Sequence, residues 1–188
     1  MGDKKLIISN GKLLLAEPFM LDPHFQKAVV MLTEHDQENG TVGFILNKPL
    51  KVKINDMVHD FPEIEALLHY GGPVAHDTLH YLHNVGDLLE ESVQIMRGVY
   101  WGGNFEKLKF LIEQQLIGPE NIRFFTGYSG WTSGQLEEEM GIGSWILADG
   151  DANYIFKVHA LRLWKRILDD KGNTFSVISE MPDQLNWN

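Results

Sequence analysis

Short apolar runs, each cut off after a few residues by glycine, proline or a polar cluster, recur along the whole of this sequence. A chain patterned this way leaves little room for long helices and reads mainly as strands joined by turns. Residues 12–17 form such a run, stopped by Pro18. Residues 28–33 are β-branched and apolar at successive positions, as an interior strand requires. A polar turn at 36–40 and a further run at 41–46 complete a hairpin, and Pro49, which cannot donate to a ladder, ends it. Residues 69–72, 78–83, 93–101, 121–128 and 144–147 read as further strands. Short helices are expected at 54–60, 63–68 and 135–140. A longer one runs from the N-cap Asn104 to about residue 116, with Phe105, Leu108, Leu111 and Ile112 as its apolar stripe. Residues 158–168 form an amphipathic helix with Leu161, Trp164, Ile167 and Leu168 on one side. Strands that precede and outnumber long helices argue for an α+β fold with mostly antiparallel pairing.

The 188 residues suit one domain, expected to span 1–188. With 44% hydrophobic and 22% charged residues the chain can build a core without staples. It has no cysteine, which excludes disulfides, thiolate metal sites and cysteine nucleophiles together. The N-terminal apolar run is too short for a signal-peptide core, and no stretch approaches the roughly 18 apolar residues of a membrane span. The expectation is a cytoplasmic, unanchored protein. A net charge of −10 repels phosphate backbones and argues against direct nucleic-acid binding. The one basic segment carries Lys157, Arg162, Lys165, Arg166 and Lys171, the pattern of a solvated helix face.

Five constellations could carry chemistry. Glu34 beside His35 could be an acid–base pair, but neighbouring strand residues point to opposite faces. Gly71 and Gly72 permit a tight turn or close backbone approach, without the lysine of a phosphate loop. His76, His80 and His83 have a helical metal-site spacing on a segment that reads as a strand, so no metal is expected. Gly127-Tyr128-Ser129-Gly130-Trp131 approximates a nucleophile elbow with tryptophan in place of its last glycine. The segment from Ser133 to Glu139 loads acids into the first turns of a helix, where the dipole stabilises them. No constellation is complete, so no catalytic residue and no cofactor are assigned.

Taken in order, Asp22-Pro23-His24-Phe25, Gly43-Phe44-Ile45-Leu46-Asn47-Lys48-Pro49, Gly71-Gly72-Pro73-Val74, the Gly127 to Trp131 segment and Gly134-Gln135-Leu136-Glu137 resemble the bacterial YqgE/AlgH family. The resemblance covers residues 11–168 and implies a bulged, mostly antiparallel sheet or barrel with flanking helices. It also implies a regulatory label, transcriptional regulator, that describes phenotype rather than chemistry. Ser129 stands where that family usually has alanine, which argues against a serine nucleophile. The resulting expectation is a regulatory or binding module with a protein or small-molecule partner. Its pocket is expected to gather Glu34, His35, Asn47, Gly71, Gly72, Tyr128, Trp131, Gln135 and Glu137 at strand ends and turns. Residues 127–134 are read as a turn closing one end of the sheet beside Asn47 and Gly72. The alternative is a hydrolase using Glu34, His35 or Glu137.

Overall fold

The structure, a computed structural model, describes residues 7–180. The N-terminal positions 1–6, read above for a leader, and the tail 181–188 lie outside the described residues. In chain order the strands are β1 (Leu13–Ala16), β2 (Val29–Asp36), β3 (Gly40–Ile45), β4 (Pro49–Lys53), β5 (Leu67–Tyr70), β6 (Val74–His83), β7 (Val93–Met96), β8 (Val99–Trp101), β9 (Ile122–Trp131) and β10 (Trp145–Ala148). The helices are α1 (Ile54–Met57), α2 (Phe105–Glu113), α3 (Gln135–Gly141), α4 (Ala152–Phe156), α5 (Leu163–Lys171) and α6 (Asn173–Ser179).

The ten strands make one sheet in the order β10-β1-β2-β3-β9-β6-β8-β7, with β4 and β5 attached beside β9. It is open rather than a closed barrel, and antiparallel except where β5 runs parallel to β9. Both faces are covered, which is why β1 is buried at every position and reads as an unbroken leucine run. On one face Leu13, Leu15, Met31 and Phe44 pack against Trp164, Ile167 and Leu168 of α5. On the other, Leu14, Val30, Leu32 and Trp131 meet Leu136 of α3. Further along that sheet Leu68 and Phe124 meet Leu108, Leu111 and Ile112 of α2.

Local chemistry explains where sequence pattern and structure agree. Asn104 caps α2 as expected, its side chain accepting from the Lys107 amide at 2.9 Å. It also explains four departures. Residues 63–68 form no helix, because the Asn55 amide donates to the carbonyls of Phe61 and Pro62 and accepts from the Ile64 amide, holding that segment extended into β5. Residues 93–101 form two strands, because Gly98 takes a left-handed φ of 78° and turns the chain into a hairpin. Residues 127–131 are not a turn but the continuation of β9, paired with β3 through Gly43↔Ser129 and Thr41↔Trp131. The helix read at 158–168 starts only at Leu163, after a 3-10 turn at Ala160–Arg162. Leu161 is therefore 74% exposed rather than core, whereas Trp164 is buried and donates to the Ala16 carbonyl at 3.0 Å.

Candidate functional site

The continuation of β9 through Trp131 decides where the nine candidate residues go. A bulge between Leu32 and Glu34 in β2 shifts the register, so that Glu34 pairs with Val42 and His35 with Thr41. Neighbouring positions then project to opposite faces, and the candidates fall into three groups instead of lining one pocket.

The first group holds the fold together. The Asn47 side chain accepts from the Val29 amide and donates to the Lys27 carbonyl, both at 2.8 Å, fixing the start of β2. Gly71 and Gly72 lie flat against β9. A Cβ on Gly71 would stand 2.2 Å from the Gly127 carbonyl oxygen, and one on Gly72 would stand 2.3 Å from the backbone of Tyr128. Ser129 is fully buried and donates to the Gly71 carbonyl at 3.0 Å, so its hydroxyl is a structural tie and not an exposed nucleophile.

The second group surrounds α3. The two indole N–H groups of Trp131 and Trp145 donate to the same carboxylate oxygen of Glu139, at 3.0 and 2.7 Å. The Gln135 amide donates to the other oxygen at 2.9 Å, while its own oxygen accepts from the Thr132 amide at 3.0 Å. His35 is bracketed by the Thr41 hydroxyl, 2.8 Å from Nδ1, and by Glu137, 3.8 Å from Nε2. Trp131 is thus a plug, 5% exposed, and Glu139 is its anchor. Glu139 was not among the expected site residues, although its helical spacing from Gln135 already placed the two on one face.

The third group, Glu34 and Tyr128, faces the other way. With Val42, Val74 and Gly130 these residues form a shallow groove of about 350 Å³ between the β2–β3 turn and β6, with Trp131 at its edge. Tyr128 leans edge-on against His80, which packs on Phe44. Burial holds His80 below the ordinary histidine range, so the groove's backing is a neutral ring.

Gly130 differs from the other glycines of its segment. Gly127 has a φ of 67°, and a Cβ there would stand 2.7 Å from the Gly72 carbonyl oxygen, so the fold demands glycine at that position. Gly130 is exposed, is absent from the positive-φ residues, and would bring a Cβ no closer than 3.3 Å, to the Tyr128 ring edge. No backbone group stands in the way of a side chain at that point in the strand, only the Tyr128 ring, which would have to give by a few tenths of an ångström; the glycine keeps the groove floor low.

The three histidines of β6 do not converge. His76 is exposed and stacks on Tyr70, His80 lies under the groove, and His83 is buried with Nε2 2.8 Å from the Gly102 carbonyl. Among the described residues no group of three or more His, Asp or Glu is arranged to hold a metal ion. Two of the five basic residues of the 157–171 segment are paired with acids. Lys165 lies 3.8 Å from Asp169 and 3.4 Å from Glu180, and Arg166 lies 3.0 Å from Asp170. No helix among the described residues is long and apolar enough to cross a membrane.

An open, mostly antiparallel sheet covered by helices on both faces, with its glycine pair pressed against a central strand, defines a class of small α+β proteins to which known proteins can be compared. The AlgH-like family model (DUF179) matches residues 13–176, and the chain belongs to that family. A UPF0301 protein of Chlorobium phaeobacteroides is 42% identical over 176 residues, covering 94% of each chain. One from Cytophaga hutchinsonii is 39% identical over 177 residues, covering 94% of this chain and 97% of the relative. The solution structure of the AlgH protein from Pseudomonas aeruginosa superposes with a TM-score of 0.74 at 24% identity, over 97% of this chain and 98% of that one. A crystal structure from Corynebacterium diphtheriae gives 0.78 at 18% identity, over 95% of both chains. At those identities the two structures speak for the fold alone.

Proposed function

We propose that this chain is a cytoplasmic binding module with a regulatory role, and that its groove over Gly130 receives an extended segment of a protein partner. The observation that carries this reading is the glycine itself: an exposed strand position outside the left-handed region, where an added Cβ would meet no backbone but only the edge of the Tyr128 ring, at 3.3 Å, and the Val74 side chain, at 3.9 Å. A side chain there would favour the strand, so glycine is better explained by something that approaches the backbone closely. The groove is bordered by the apolar Val42 and Val74, the aromatic Tyr128 and the exposed carboxylate of Glu34. That lining suits a segment with small apolar side chains and a basic residue to meet Glu34. Direct DNA contact has less support, because the net charge is −10 and Lys165 and Arg166 are already engaged by acids. Selection of displayed peptides on the wild-type protein and on Gly130→Val tests the reading. Enrichment of basic-apolar sequences on the wild type and their loss on the variant is expected; equal enrichment on both would remove the groove from the account.

A hydrolase reading keeps one specific observation in its favour, the chain of hydroxyl, imidazole and carboxylate through Thr41, His35 and Glu137. Against it stands the 3% exposure of Thr41, which leaves the hydroxyl little room to meet a substrate. Ester and amide hydrolysis that disappears in both His35→Ala and Glu137→Gln would favour it, and activity indifferent to both would retire it.

A further inference from the structure

A second cavity shares no lining residue with the Gly130 groove. It lies where the starts of β4 and β9 and the middle of β5 meet α4 and the N-terminus of α5, and it encloses about 220 Å³. Its walls include the apolar Leu46, Leu67, Ile155, Val158 and Leu163. Into this apolar setting the chain places Arg123.

Arg123 is unusual in a protein with 26 acidic residues against 16 basic ones. Its guanidinium donates to three carbonyls, of Pro119 at 2.7 Å, Ile122 at 2.9 Å and Phe156 at 3.1 Å. Among the described residues no carboxylate pairs with it, and none lines the cavity. Burial alone pushes its pKa below the usual arginine value, the mark of a cation whose lost hydration has not been replaced by an anion. A guanidinium has five N–H donors, more than these three carbonyls use.

Beside it stands His69, 7% exposed, with Nδ1 fully buried and no hydrogen-bond partner. Burial and then the neighbouring Arg123 lower its pKa to about 4, against the opposing pull of hydrogen bonding to the backbone at Leu67 and Phe124. The imidazole is therefore neutral at pH 7, and Arg123 is the cation of the pair. An unsatisfied buried polar atom is costly and is retained where something else satisfies it or where it serves a site.

We infer that the cavity between β9 and α4 is a binding site for a small organic carboxylate, with Arg123 taking the carboxylate and the aliphatic wall of Leu67, Ile155 and Leu163 taking a short apolar body. The planar fork of arginine matches a carboxylate's geometry. The volume lies below the roughly 300–1,000 Å³ of drug-sized sites, so the guest is small. Because α4 and α5 form one wall, an occupant would tie these helices to β9 independently of any event at the Gly130 groove.

Titration of the full chain with benzoate, followed through the methyl signals of Leu67, Ile155 and Leu163, tests the site, with neutral benzamide as the isosteric control. Saturable shifts with benzoate and none with benzamide are expected. Arg123→Gln should weaken benzoate at least about tenfold, the effect of losing one charge-assisted pair. Because Arg123 also binds three carbonyls, Ala160→Trp, which fills the cavity from its rim, provides the second variant. It should abolish the shifts while the rest of the spectrum keeps its native dispersion. Methyl signals that stay still in benzoate, or that respond equally to benzamide, would overturn the assignment, as would unchanged benzoate binding in a folded Ala160→Trp protein.

Discussion

Replacing Glu139 by alanine isolates the anchor that fixes α3 to the sheet. Trp131 and Trp145 are 5% and 4% exposed, and both donate to one oxygen of this carboxylate. Deleting the acceptor leaves two buried indole N–H groups unsatisfied, each costing about 1–3 kcal/mol. Removing a negative charge near the C-terminus of a helix returns about 0.3–1 kcal/mol, because the dipole disfavours an acid there. The net expectation is a loss of roughly 1–6 kcal/mol, which for a chain of this length is a fall in melting temperature of roughly 2–24 °C. Glutamine is the informative control. A carboxamide oxygen at the same place can still accept both indoles, while its NH2 replaces the oxygen that accepts from Gln135, so Glu139→Gln should lose about 1–2 kcal/mol, the charge assistance and the Gln135 bond. Urea unfolding followed by far-ultraviolet circular dichroism measures both without relying on the tryptophans as probes. Alanine within about 0.5 kcal/mol of wild type would refute the reasoning, as would glutamine as damaging as alanine.

Gly130→Ala, whose Cβ would press only on the Tyr128 ring edge at 3.3 Å, should change stability by no more than about 1 kcal/mol, whereas Gly72→Ala, with a φ of 152° and backbone 2.3 Å from its new Cβ, should lose roughly 2–5 kcal/mol; calorimetry of the pair checks the contrast. Trp164→Ala should cost roughly 3–5 kcal/mol in chemical denaturation, because the ring fills the core beneath α5 and its N–H holds Ala16. His69, with a folded pKa of about 4 against 6.5, takes its proton later than the unfolded chain does, so its share of stability is full above pH 6.5 and is lost as pH falls to 4, up to about 3 kcal/mol. Burial depresses His80 and His83 in the same direction, so His69→Leu should flatten the acid limb of a stability–pH curve only in part.

Runs of leucine and valine announced the strands of this fold because both faces of the sheet are covered, and Asn104 announced its helix by the cap it makes. The errors share a physical origin, since each was decided by a partner distant in the sequence. Leu161 follows the apolar period of α5 yet precedes its first turn. The glycines at 127 and 130 look alike in the sequence, and only the carbonyl oxygens of Gly72 and Val74 against the first, where the second meets just the side chains of Tyr128 and Val74, separate a backbone requirement from a groove floor. The site residues suffered most, because the bulge at Leu32 and Glu34 and the long course of β9 set which face each side chain takes. Arg123 and His69 carried no local signal at all; an arginine after Asn121-Ile122 becomes unusual only when the folded chain surrounds it with carbonyls and aliphatic side chains.

Chemical-shift mapping of a basic-apolar peptide enriched on the wild-type protein reaches the central claim most directly. The groove account predicts that the largest amide shifts fall on Val42, Tyr128 and Gly130, with Val74 and Thr132 at the edges. Largest shifts at Leu161 and Arg162, or around Arg123, with the amides of Val42 and Gly130 unmoved, would contradict it.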